Sequence, residues 1–395
     1  MKRTPTSEPR EGFTTGSAVT AAAVAALTAL LSGECPGETD IPLPPDENGV
    51  TPEPRLTVPV TLCERLTENG GETGYAEVTK DGGDDPDATH GMLLTARVAR
   101  EAFASDTPPL RLTETVTLYA GEGIGTATLP GLPVAIGEMA VNPAPRRQLA
   151  AALNETAARF GYGGPIHCLI TAPEGEKRAR HTLNGRLGIV GGISILGTRG
   201  TVKAFSSEAW QATICQALDV AKALGCRTVA FSTGRRSEKA LCERLPELPP
   251  QAFIQVADHA GFAVREAAKR EFAEILWGCF PGKLLKLAQG LAWTHARAAA
   301  PDFSLLKTFC LQNSVPERVI SGALAVPTVL GALEVVHDYS PRKHAGVIQA
   351  MAKHAAASVS AMADPEGNVP RVCVYAFDMQ GRLLAKGYKW HSSET

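Results

Sequence analysis

Apolar residues change their rhythm along this chain, and the change predicts two kinds of architecture. Up to Asn142 the pattern reads mainly as strands at Leu56 to Leu62, Thr73 to Thr79, Leu93 to Val98 and Leu110 to Tyr119, several of them alternating as a half-buried sheet does. One helix interrupts them. Ala18 to Leu31 is small and apolar on nearly every side, is entered through Thr14-Thr15-Gly16-Ser17, and ends at Ser32-Gly33, so hydroxyl caps and a glycine stop are expected. The Pro-rich, acidic stretch 36–54 predicts a surface loop. Beyond Asn142-Pro143-Ala144-Pro145, helical periods at 148–160, 174–184, 207–224, 236–245 and 262–273 take turns with apolar runs at 166–172, 193–196, 227–233, 253–257 and 274–279. Strands that read as unbroken apolar runs between helices predict a parallel sheet covered on both faces. Residues 283–362 predict mostly helix, and 372–377 with 383–386 a closing hairpin free to return to the first domain. The expected fold is an α+β N-terminal domain, 1–145, and an α/β domain with a mostly parallel, helix-covered sheet, 146–340, followed by a C-terminal helix and hairpin, 341–395.

Composition narrows the classes. At 395 residues, 44% hydrophobic and 20% charged, the chain can bury more than one core and is neither disordered nor fibrous in type. A net charge of -2 supplies no general attraction to phosphate backbones, so nucleic acid is not an expected partner. The nine cysteines are odd in number and contain no C-x-x-C pair, which suits reduced thiols in a cytoplasmic protein better than disulfides or a zinc knuckle. The polar start, Met1 to Arg10, lacks the apolar stretch of a signal sequence, and the Ala-rich run is dotted with Thr, so no membrane span is expected.

Candidate chemistry concentrates in Lys80-Asp81-Gly82-Gly83-Asp84-Asp85-Pro86-Asp87-Ala88-Thr89-His90-Gly91, where four carboxylates share a strand-to-strand loop with a lysine, an imidazole and three glycines. Like charges repel at close range, so such a cluster needs either a solvated turn or a function. Calcium spacing fails: counted from Asp81, the third position is Gly83, the sixth Pro86 and the twelfth Met92. Asp81, Asp84, Asp85 and His90 are therefore the catalytic candidates, with no metal expected. Gly121-Glu122-Gly123-Ile124-Gly125 imitates a dinucleotide fingerprint, but Pro130 and Pro133 deny it the helix that must follow, so a glycine turn is predicted.

In a parallel sheet the loops after the strands carry ligands. Three qualify: Gly191 to Gly200, with Gly192, Gly197 and Thr198; Thr233-Gly234-Arg235-Arg236; and Asp258. Tight packing, a solvated helix start and an N-cap are their ordinary readings. Lys283 opens a predicted helix in Pro281-Gly282-Lys283-Leu284, where the helix dipole disfavours a cation unless a ligand offsets it. No G-x-x-x-x-G-K-[ST] occurs.

The motifs Gly12-Phe13-Thr14-Thr15-Gly16, Lys80 to Asp87, Gly121 to Gly125, Ser194-Ile195-Leu196-Gly197-Thr198, Thr233 to Glu238 and Pro281 to Leu284 stand in the order seen in the cobalt-precorrin-5B (C-1)-methyltransferase family, CbiD, and the chain resembles that family over nearly its whole length. The resemblance implies a cytoplasmic enzyme of anaerobic cobalamin synthesis that moves the methyl of S-adenosylmethionine to ring carbon C-1 of a tetrapyrrole whose cobalt belongs to the substrate. Ser17-Ala18 replaces a frequent Thr-Cys, and Phe280 a His, which argues against a catalytic thiol or imidazole at those points. Under this reading Gly192, Gly197, Thr198, Thr233, Gly234, Arg235 and Asp258 hold the donor, and Lys80, Thr14, Thr15, Arg146 and Lys283 the polycarboxylate macrocycle. Two other classes remain open: metal-assisted phosphoryl or nucleotidyl transfer, and a non-enzymatic tetrapyrrole carrier. A homo-oligomer is compatible with either.

Overall fold

The computed structural model describes residues 9–68, 71–105, 107–204, 206–296, 299–363 and 369–389. Two compact units are present, Met1–Ser206 and Ser207–Thr395.

The first unit contains β1 (Gly12–Phe13), α1 (Thr15–Ser32), β2 (Glu38–Ile41), β3 (Leu56–Pro59), β4 (Leu62–Glu68), β5 (Gly71–Thr79), β6 (Leu93–Ala99), β7 (Leu110–Arg111), β8 (Val116–Ala120) and β9 (Thr126–Ala127). After Asn142 come α2 (Pro143–Arg159), β10 (Ile166–Thr171), α3 (Gly175–Ala179), β11 (Ile189–Val190) and β12 (Thr201–Val202). Six strands form one sheet in the order β4-β5-β6-β10-β8-β7. Its pairs are antiparallel except β10 with β8, which the crossover through α2 makes parallel. Helix α1 begins where Thr14 accepts a hydrogen bond from the Ser17 N–H and stops at Gly33, whose φ of 80° ends the helix. It lies against β5, β6 and α2 with small residues on nearly every side, which lets backbones meet. At Gly74 of β5 a Cβ would fall 1.7 Å from the Ala26 carbonyl oxygen, so only glycine fits beneath this helix. By length and apolarity α1 could cross a membrane, but it is buried inside this unit.

Several expectations change here. Asn142, the expected boundary, is the N-cap of α2 inside the first unit, because the strand after α2, β10, fills the gap between β6 and β8. The predicted helix 174–184 shortens to α3, since Thr182 and Asn184 turn their side chains onto the Ala179 and Gly192 carbonyls instead of continuing it. The expected strand 193–196 is reduced to single bridges at Ile193 and Ile195 and joins no parallel sheet. Leu110 to Tyr119 breaks into β7 and β8 around a turn, and β2 forms within the expected loop 36–54.

The second unit contains α4 (Ser207–Ala223), β13 (Thr228–Ser232), α5 (Arg235–Arg244), β14 (Phe253–Gln255), α6 (Ala260–Lys269), β15 (Glu274–Cys279), α7 (Pro281–Ala288), α8 (Phe303–Gln312), α9 (Glu317–Leu324), α10 (Val329–Tyr339), α11 (Pro341–Ser360), β16 (Arg371–Phe377) and β17 (Leu383–Lys389). Its sheet runs β14-β13-β15-β16-β17, parallel except for the last pair. The closing hairpin therefore extends this sheet rather than returning to the first domain: β16 pairs with β15 from Arg371 opposite Glu274 to Ala376 opposite Cys279. An apolar strand such as Val372 to Phe377 needs cover on both faces, which this position provides. Ala240 and Leu241 of α5, with Leu245 just beyond it, cluster with Ala230, Leu276, Cys373, Tyr375 and Phe377, while α11 covers the other face over β16 and β17.

Candidate active site

The β5–β6 loop is closed by its own charges. Arg10 grips both Asp81 oxygens, one from Nη2 at 2.9 Å, and the Gly83 N–H donates to the same carboxylate at 2.9 Å. The Arg10 hydrogen bonds hold the Asp81 carboxyl down at about 2, against a smaller opposing effect of burial. Arg10 also donates its backbone N–H to Asp84 Oδ2 at 2.7 Å, and the Asp84 N–H returns to the Arg10 carbonyl at 3.0 Å. Lys80 is buried to 2% exposure, with its ammonium 2.5 Å from Asp87 Oδ2. Asp87 also accepts from the Thr89 N–H and hydroxyl, both at 2.7 Å. Burial pushes the Asp87 carboxyl up, but Lys80 and the two Thr89 donors outweigh it and leave the group below its usual range. The exposed ring of His90 accepts the Gly82 N–H at Nδ1, 3.0 Å, so its proton sits on Nε2. Of the four catalytic candidates, Asp81 is engaged in an internal ion pair, whereas Asp84 and His90 face solvent and Asp85 is partly covered.

The hydroxyl-rich entry to α1 is closed as well. Thr14 caps the helix, Thr15 Oγ1 donates to the Leu196 carbonyl at 3.1 Å, and the N–H groups of Thr14 and Gly16 donate to Gly200 and Leu196. Ser17, the residue in place of Thr, donates to the Gly200 carbonyl at 2.7 Å and receives the buried Gln148 amide at 3.1 Å. This helix end thus holds the 196–200 segment of its own chain. Lys80, Thr14 and Thr15, read from sequence as substrate contacts, are all buried in internal bonds. Gly192, Gly197 and Thr198, expected beside the donor loops, belong to this first unit, because their strand joins no parallel sheet. Arg146 donates to Glu138 at 2.8 Å and to the Val141 carbonyl at 2.6 Å.

The carboxyl edge of the second unit's sheet is built differently. In unit order its strands run second, first, third, fourth, fifth, so the connections leave β13 and β15 in opposite directions and open a crevice between their ends. Thr233, Gly234 and Arg235 lie on one side of that switch point, and Phe280 to Lys283 on the other. Gly234, the N-cap of α5, lacks a capping side chain, and a Cβ built on it or on Gly282 meets nothing within 4 Å. Among the described residues the Arg235, Arg236 and Ser237 N–H groups find no acceptor, leaving a positive helix end open. Arg236 stacks 5.4 Å over the Phe280 ring and donates to the Met379 carbonyl at 2.6 Å, tying together the ends of β13, β15 and β16.

Beyond β14, Ala257 adopts a φ of 47°, a left-handed conformation costly to a residue with a Cβ, and turns the chain into Asp258. Asp258 Oδ1 accepts from Lys283 and, at 2.9 Å, from Thr294. Burial would raise this carboxyl, but Lys283 and Thr294 hold it below its ordinary range, and Oδ2 has no partner among the described residues. Lys286, one turn after Lys283, is buried and donates to the Thr294 and His295 carbonyls at 3.0 and 3.2 Å. Its ammonium is pushed below the usual lysine range by burial and then by Lys283. Sequence reasoning named Asp258 and Lys283 but missed Thr294, Lys286 and Arg10. Two lysines one turn apart at a positive helix end were the only available signal.

Two family models match the chain: one described as CbiD over residues 2–204, and one described as CbiD, C-terminal domain, over residues 293–388. A protein named cobalt-precorrin-5B C(1)-methyltransferase from Nitratidesulfovibrio vulgaris is 53% identical over 327 residues, spanning 83% of this chain and 81% of its own. The chain belongs to the CbiD family. A relative of the same name from Geobacillus kaustophilus is 38% identical, covering 95% of this chain and 94% of that one. A crystal structure titled cobalamin biosynthesis protein (cbiD) from Archaeoglobus fulgidus shares 28% identity, covers 71% of this chain and 80% of that one, and has a TM-score of 0.37.

Proposed function

We propose that this member of the family transfers a methyl group from S-adenosylmethionine to ring carbon C-1 of cobalt-precorrin-5B, giving cobalt-precorrin-6A for cobalamin synthesis in the cytoplasm. The observation that carries the reaction is the 53% identity, over most of both chains, to a protein named for it.

In such a transfer one carbon–carbon bond forms as one carbon–sulfur bond breaks, with the three atoms in line, so positioning supplies much of the rate. The switch point of the second unit suits the donor. Space over Gly234 admits its backbone-hugging part, the open N–H groups of α5 suit its carboxylate, and Asp258 Oδ2 can accept from ribose hydroxyls. Lys283 then orients Asp258 rather than touching the macrocycle. In the first unit, Asp84 and His90 are the exposed groups of the acidic loop and act on the macrocycle. With Nδ1 accepting from Gly82, His90 offers an Nε2 proton to a substrate oxygen. Asp81 holds the loop in shape through Arg10.

Incubation of the protein with cobalt-precorrin-5B and methyl-labelled donor tests the reaction: one labelled methyl per macrocycle and one S-adenosylhomocysteine are expected, and no transfer would refute it. Gly234→Val tests the donor position. It should keep the thermal midpoint and lose donor binding in calorimetry, whereas unchanged affinity moves the donor elsewhere.

A further inference from the structure

Arg111 and Arg147 line a cavity of about 210 Å³ in the first unit, together with Leu110, Leu112, Ala150 and Arg146. Arg146 is neutralised by Glu138. The other two guanidinium groups are held by backbone alone. Arg147 donates from Nε to the Pro45 carbonyl at 3.0 Å, and Arg111 donates from Nε and Nη2 to the carbonyls of Thr113 and Glu114, both at 3.2 Å. Among the described residues neither group forms an ion pair with a carboxylate. The carbonyls orient each group, and among the described residues Arg147 Nη1 and Nη2 and Arg111 Nη1 meet no acceptor.

Arg147 is the fifth residue of α2, and the turn before it contains no acidic residue to answer it. Two pre-oriented planar forks beside apolar walls recognise a carboxylate on a short alkyl arm: the forks take the oxygens, and Leu110, Leu112 and Ala150 take the methylenes. We propose that this cavity is a carboxylate subsite that seats one acidic side arm of the macrocyclic substrate. The macrocycle as occupant rests on the methyl-transfer reading above; the carboxylate chemistry stands on the cavity itself.

The test titrates wild type, Arg111→Gln, Arg147→Gln, Arg147→Lys and Ala150→Glu with a cobalt corrinoid polycarboxylic acid, with its fully methyl-esterified form, and with sodium propionate, after circular dichroism has shown each variant folded. Wild type should prefer the acid. Each Gln variant should lose about ten- to a hundredfold in acid affinity, the scale of one charge-assisted contact, with ester affinity unmoved. Arg147→Lys, which keeps the charge but not the fork, should fall between, and Ala150→Glu should lose as much by placing a carboxylate among the guanidinium groups. Variants as tight as wild type, while wild type still prefers the acid, would overturn the subsite and leave the methyl-transfer reading intact. Propionate binding as tight as the macrocycle's overturns the macrocycle as occupant. If wild type binds neither macrocycle, the methyl-transfer reading fails, and propionate decides the subsite: a rise in thermal midpoint seen in wild type and absent in Arg147→Gln supports it, and no rise overturns it.

Discussion

In the β5–β6 loop the charged groups answer one another: Arg10 meets Asp81, Lys80 meets Asp87, and His90 takes the Gly82 N–H. At the β13 and β15 ends of the other unit, a helix start without a cap and two glycines face open space. The glycines show the contrast most directly. A Cβ on Gly12 would lie 2.3 Å from the Asp81 carbonyl oxygen, whereas one on Gly234 would touch nothing within 4 Å. Density of charge and glycine in a sequence thus marks a place where the backbone is crowded or where a ligand approaches. Only the surroundings distinguish the two.

The largest effect that can break this comparison is Asp87→Ala. Lys80 is buried and Asp87 is its carboxylate, so removing Asp87 strands an ammonium and should cost about 3 to 5 kcal/mol in chemical denaturation. A cost within measurement error would mean that this loop is as open as the sheet edge. Asp84→Asn comes next. If Asp84 contacts the macrocycle, single-turnover methyl transfer should fall about ten- to a hundredfold, as for one charge-assisted hydrogen bond of about 1.5 to 3 kcal/mol, with the thermal midpoint unchanged. A fall of about a hundredfold to ten-thousandfold would instead identify a proton acceptor. Full turnover would leave Asp84 as a solvated turn residue.

Gly12→Ala against Gly234→Ala sharpens the contrast itself. The first forces backbone from backbone and should cost about 1 to 3 kcal/mol, while the second should stay within about 0.5 kcal/mol, both read from denaturant midpoints. Equal costs would erase the distinction. The smallest effect is the acid limb of the stability curve. Because the Asp81 carboxyl is depressed to about 2 in the folded chain, its contribution is complete above the unfolded value of about 4 and disappears as pH falls through about 2. Its side chain is 35% exposed, so solvent keeps that contribution at or below about 1 kcal/mol. Arg10→Gln should lower stability by up to that amount from neutrality down to about pH 4, flatten the curve between those pH values, and leave it unchanged below about 2.

Local pattern alone determined much of this protein. The small, apolar α1 with its Thr14 cap and Gly33 stop, the β5 and β6 strands around the acidic loop, the glycine turn at 121–125 and the apolar parallel strands β13, β14 and β15 all follow from side-chain period, caps and breakers, which act within a few residues. The ordered motifs also carried the family. Tertiary structure alone decided which strands became neighbours: β10 between β6 and β8, and β16 beside β15. It also decided which charges were already answered. Asp81 is neutralised by a residue 71 positions away and Asp258 by one 25 positions away, and no local rule links such partners. Strand order and charge compensation are settled by burial against distant segments, so whether Lys80 or Gly234 was free to meet a ligand depended on the fold.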